Sequence, residues 1–141
     1  MRAPTAGTWK TLGMVMLGGG ALMFTYWTLY LTGVFDLGQS DPVVAAFESA
    51  FLLADTLLGL LLLAAGGSLL GHRSSGPYLM TVAASMSVYL GLLDLVFYTR
   101  RGLFSTASAA DAFELSLISV CILGGGSCLR YGWKLIGSAV P

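Results

Sequence analysis

The stretch from Asp41 to Gly71, DPVVAAFESAFLLADTLLGLLLLAAGGSLLG, decides the fold. Asp41 followed by Pro42 reads as an N-cap with proline at the first helical position, and Gly71 as the stop. The helix this predicts, over 42–70, is apolar throughout except for Glu48 and Asp55 and exceeds the ~20 residues that a bilayer core requires. It is a transmembrane helix, and the rest of the chain repeats its character.

Upstream, GMVMLGGGALMFTYWTLYLTGVF lies in a first span over about 11–35. It is too long and too aromatic at its far end for the short apolar region of a cleaved signal, so it is expected to be retained. DLGQSDP separates it from the second span, and GHRSSGP closes the second and reopens the third at Pro77. The third covers about 77–98. After RRGLFSTASAA the fourth covers about 109–129, with Ser108 and Asp111, or Asp111 and Glu114, spaced as capping-box variants. RYGWKLIGSAVP then makes a short amphipathic tail whose Tyr131 and Trp133 suit an interface.

Composition agrees. Of the 141 residues 56% are hydrophobic and 10% charged, against roughly a quarter charged in soluble domains. The mean hydropathy is +0.82. Four short-looped spans fill the chain, so residues 1–141 form one transmembrane domain, an all-α four-helix bundle, with the lipid bilayer as its first partner. Seven basic and seven acidic residues leave zero net charge and no basic footprint, which argues against nucleic acid as a partner. Arg2, Lys10, Arg73, Arg130 and Lys134 fall on one side and only Arg100 and Arg101 on the other. The positive-inside rule then puts both termini in the cytoplasm.

Polar residues in the four spans share a depth. Tyr26 stands sixteen positions after Lys10, Asp55 seventeen before His72, Asp94 seventeen after Pro77 and Glu114 sixteen before Arg130. At ~1.5 Å per residue they lie ~24–26 Å above the cytoplasmic face. Ionisable residues at such a depth are expensive and mark candidate sites. Seven-residue spacing groups Glu48 with Asp55 and Leu62, Asp94 with Ser87, Glu114 with Cys121 and Cys128, and Gly19 with Tyr26 and Gly33. Small residues below the acids, from Gly18–Gly20, Gly66–Gly67, Ala83–Ser87 and Gly124–Gly126, predict a tight cytoplasmic half. Bulky Phe24, Tyr26, Trp27, Tyr30, Phe47, Phe51, Tyr89, Phe97 and Tyr98 predict a bundle that opens outward.

Each candidate has a structural reading beside the functional one. Glu114 and Glu48 stand near helix starts, where carboxylates suit the helix dipole. Asp94 is two turns from Arg101, a potential ion-pair partner. Asp55 lies furthest from any helix end and needs a buried partner or a ligand. Two carboxyls crowded in a low dielectric do not both ionise easily, so an Asp55–Asp94 pair would share a cation or a proton. Tyr26, Trp27 and Tyr98 would add stacking and hydrogen bonds around it, with Glu48 and Glu114 at the margin. The di-iron Glu-x-x-His pair is missing, the lone His72 belongs to a turn, and the glycine triplets lack the Lys-Ser/Thr of a phosphate loop. Cys121 and Cys128, ~10 Å apart by rise, cannot bridge and read as packing residues. The sequence names no metal site, no cofactor and no catalytic residue.

AFESAFLLAD (46–55) and YLGLLDLVFYTRRGLF (89–104) resemble small four-span bacterial membrane proteins with no assigned biochemical role, which implies the bacterial cytoplasmic (inner) membrane. The arrangement of short helices with carboxylates and aromatics in one half-membrane cavity is also similar to the sterol isomerase and sigma-2 receptor superfamily. That similarity implies a lipid-like or cationic amine ligand held by Glu48 or Asp55 and by Asp94. No histidine or tryptophan adjoins those acids in the sequence, as isomerase chemistry would ask. The small multidrug exporters are similar in size but carry their acid in the first span, where none occurs between Lys10 and Asp36.

Three functions are expected from these residues. The first is an outward-facing acidic and aromatic cavity that binds or moves a lipophilic or cationic small molecule or a proton. The second is an accessory subunit packed in a larger membrane complex, or self-associating, through a small-residue face at Gly18–Gly20. The third, the weakest in motifs, is an enzyme using paired carboxyls as acid and base.

Overall fold

A computed structural model describes residues 6–34, 41–102 and 109–139. Helices α1 (Ala6–Leu31), α2 (Pro42–Leu70) and α3 (Ser75–Arg100) are followed by a fourth rod. That rod is α4 (Ala109–Ser119), a π-helical turn, π1 (Val120–Gly124), and α5 (Gly125–Ala139). No strand occurs among the described residues, and all four rods are long and apolar enough to cross a membrane.

Local chemistry sets the helix ends. Asp41 is extended and accepts the Val43 N–H at 2.8 Å, capping α2 ahead of Pro42. That bond, and to a smaller degree the Val44 N–H and Arg101, hold the Asp41 carboxyl below its usual range. Helix α1 stops before Phe35 because Gly33, at φ +71°, builds a Schellman turn: Val34 N–H reaches the Leu29 carbonyl at 3.0 Å and Gly33 N–H the Tyr30 carbonyl at 3.1 Å. Elsewhere the helices outrun the apolar segments. Helix α1 begins at Ala6 rather than Thr11, α3 runs from Ser75 to Arg100, and α5 passes Leu129, Arg130 and Lys134 to reach Ala139. Charge ends an apolar run without ending a helix. Arg2, Phe35, Asp36 and the Ser108 of the expected cap lie outside the described residues.

The rods are antiparallel and zipped in pairs by glycine. On α1, Gly13 and Gly20 meet Gly66 and Gly59 of α2. A Cβ on Gly66 would stand 2.7 Å from the Leu17 side chain and 2.9 Å from the Gly13 carbonyl, and one on Gly20 would stand 3.0 Å from the Gly59 carbonyl. Helix α3 meets the fourth rod in the same manner. A Cβ on Gly125 would lie 2.8 Å from Val88 and 3.0 Å from the Ala84 carbonyl, Gly132 abuts Thr81, and a Cβ on Gly91 would lie 2.8 Å from that of Cys121. Backbones this close gain dispersion contacts that larger residues would hold apart.

The Gly18–Gly20 run is divided by this geometry. Gly20 is in the seam, Gly19 approaches Leu62 and Gly18 has nothing near it. Between the two hairpins, α2 packs on α3 around Leu58, Ala83 and Leu90. At the end that carries the chain termini, Leu12, Met16, Ala65, Leu69, Met80, Ala84, Cys128 and Leu135 unite all four rods in one core. The turn between α2 and α3, with His72 at φ +50°, is covered there by the Trp9 ring, 5.6 Å from the imidazole.

The far end is closed by aromatics. Phe47 of α2 stacks on Phe97 of α3 at 3.6 Å and 3°, and Trp27, Tyr30 and Tyr98 are all buried. Arg101 at the end of α3 reaches Asp41 at 2.6 Å, so it pairs across the loop end and not with Asp94. Two turns separate Asp94 from Arg101, whereas Asp41 starts α2 at the level where α3 finishes.

Candidate functional site

Between the aromatic end and the core lies a cavity of about 230 Å³. Each rod contributes the stripe that faces inward: Gly19 and Tyr26 from α1, Glu48, Asp55 and Leu62 from α2, Ser87 and Asp94 from α3, Glu114, Cys121 and Cys128 from the fourth. Seven-residue spacing therefore delivers one polar column per rod into one space. Among the described residues, four carboxyls line it and no lysine, arginine or histidine does.

The four acids are not equivalent. Asp55 accepts the indole N–H of Trp27 at 3.1 Å. Glu48, a buried residue, sits between two phenols: Tyr98 donates to Oε1 at 2.7 Å and Tyr26 to Oε2 at 3.5 Å. Each of these is a cross-helix bond that fixes a carboxylate in place. Glu114 differs. It is 8% exposed, and its Oε1 is buried without a hydrogen-bond partner. Burying a carboxyl oxygen without a partner is costly, and among the described residues this is the cavity atom whose burial no hydrogen bond offsets.

Of the sequence candidates, Asp55, Asp94, Tyr26, Glu48 and Glu114 line the cavity together. Trp27 and Tyr98 stand behind that lining, holding Asp55 and Glu48, where direct stacking on a ligand was expected. A tryptophan does adjoin an acid, but it comes from α1, which one-dimensional reading could not supply. Glu114 stands a turn inside α4 and faces the cavity, well away from a role confined to the helix start.

The sequence reading expects a regular fourth helix and does not foresee π1. Its turn brings Val120, Cys121 and Gly124 to the cavity, and Ser87 of α3 donates to the Cys121 carbonyl at 3.2 Å, supporting the widened backbone. A π turn breaks α-helical hydrogen bonding and recurs at functional sites. Its one trace in the sequence is Gly91, whose missing side chain lets Cys121 close on α3.

Among the described residues, no three His, Cys, Asp or Glu are grouped closely enough to hold a metal ion. The carboxyls surround a space wider than one ion's coordination shell. They could meet a cation with an organic body, which carries its charge to one or two carboxylates and leaves its remainder against Leu58, Leu62, Met23 and Leu90. No family model matches the chain, and no curated protein or solved structure shows significant similarity to it.

Proposed function

We propose that this is a multi-pass membrane protein that binds or carries a small lipophilic cation in its acid-lined cavity, with both termini cytoplasmic. The observation that carries this reading is the buried, unpartnered Glu114 oxygen facing a cavity that has, among the described residues, three further carboxyls and no basic residue. An organic ammonium group supplies what that oxygen lacks, a donor with opposite charge. The apolar lining favours a molecule whose body prefers hydrocarbon to water. Asp94 is the acid that α3 brings to the cavity and is the second contact for the charge, while Asp55 and Glu48, already held by aromatic donors, shape the field around it.

Benzylamine and its uncharged counterpart benzyl alcohol test this on the full chain in lipid nanodiscs by calorimetric titration. The amine should bind saturably and at least ~10-fold more tightly, equivalent to ~1.4 kcal/mol. Glu114→Gln and Asp94→Asn should each remove most of that preference. Equal binding of amine and alcohol, or a preference untouched by both substitutions, overturns the reading.

A further inference from the structure

Trp27, Tyr30, Tyr98 and the Phe47–Phe97 stack stand at one end of the cavity, where the sequence leads one to expect an opening toward water, and the four-rod core stands at the other. The side of the cavity offers a second route. Helix α1 packs on α2, α2 on α3 and α3 on the fourth rod, but among the described residues α1 and the fourth rod share no extended interface. Three residues that line the cavity are at the same time highly exposed: Val15 at 53% and Leu22 at 71% on α1, and Val120 at 68% on π1. Gly19 and Gly124 lie between them and narrow neither side.

The geometry points to a lateral mouth between α1 and π1 that admits a single-chain amphiphilic amine from the bilayer, its ammonium group among the carboxyls and its tail leaving between Leu22 and Val120 into lipid. This deepens the binding reading above and rests on it. Charge complementarity selects the head, since among the described residues four acids and no base line the interior. Volume selects the placement of the tail. At about 230 Å³ the cavity is below the ~300–1,000 Å³ of sites that enclose drug-sized ligands, so a long chain cannot be housed whole. The rim selects its chemistry: valine and leucine give no hydrogen bond to a polar substituent but match a methylene chain. A water-soluble cation has no comparable path, because the apolar rim and the aromatic end would both strip its hydration before the carboxyls could replace it.

Photolabelling of the full chain in phosphatidylcholine vesicles tests the route. The probe is tetradecylamine with a mid-chain diazirine, and the control is tetradecanol with the same group. Adducts of the amine should map to the Val15–Leu22 segment of α1 and to Leu117 and Val120, several-fold above those of the alcohol, and Glu114→Gln should bring the two to one level. Val120→Trp, which fills the rim without touching a carboxyl, should lower amine labelling by ~10-fold. If the amine retains its Glu114-dependent advantage but its adducts avoid Leu22 and Val120, the lateral mouth is overturned and the binding reading survives. If amine and alcohol label alike in the wild-type protein and benzylamine does not bind, both are overturned.

Discussion

Trp27 and Glu114 illustrate how unevenly single residues disclose themselves. Trp27 donates its indole N–H to Asp55, and Trp27→Phe removes that donor together with part of a buried ring. A half-buried carboxylate left without its partner costs about 1–3 kcal/mol. Unfolding of the purified protein in mixed micelles should show a loss of at least that size for Trp27→Phe, and a much smaller one for Trp133→Phe, whose ring is 67% exposed. Equal losses would mean that the bond contributes nothing to stability. The depth of Asp55, Asp94 and Glu114 was readable by counting from the basic ends, because rise per residue is fixed. The partners were not, since a count along one helix carries no information about the rotation of its neighbour. For that reason Glu114 resembled a helix-start residue until the fourth rod's inward face was known.

At the scale of elements, the glycine runs make the clearest case. The sequence marks Gly18, Gly19 and Gly20 equally, but they point in three directions, one to the surface, one to the cavity and one into the α1–α2 seam. Gly66→Ala would place a methyl group against Leu17 and the Gly13 carbonyl, and overpacking of this kind costs about 1–3 kcal/mol. Gly18→Ala meets nothing within 4 Å and gains helix propensity of up to ~1 kcal/mol. Thermal scans of the two variants should therefore move in opposite directions, or Gly66→Ala alone should move; a drop for Gly18→Ala would show that its face is covered by something outside this chain. Asp41-Pro42 and the stop at Gly71 were legible because capping chemistry is local. The extension of α5 past Arg130 was not, since hydropathy tracks the solvent a helix meets and not where its hydrogen bonds cease.

For the whole molecule, the two hairpins are zipped internally and joined through α2 and α3, and among the described residues α1 and the fourth rod share no extended interface. Antiparallel packing sets Ser74 and Thr99, both exposed, at opposite ends of α3. With Cys121 and Cys128 replaced by serine, Thr99→Cys should react with a membrane-impermeant maleimide in intact cells, and Ser74→Cys only after permeabilisation. The reverse pattern would invert the orientation drawn from the basic residues. The all-helical architecture of four long apolar rods was legible from composition, turn residues and length alone. The pairing of α1 with α2 and of α3 with the fourth rod was not, because it depends on how separate segments meet, a property no single segment encodes.

The π turn carries a consequence for how this site tolerates genetic change. One widened turn amounts to roughly one surplus residue, and each residue of an α-helix turns the remainder of the rod by ~100°. Loss of a single codon within 120–124 would therefore remove the surplus and leave Glu114 in register with Gly125, Cys128 and Gly132 on a regular helix. The same residues wound regularly without that loss would turn the carboxyl away from the zipper by ~100°. In this rod the cavity depends on a match between reading length and winding more than on lettering.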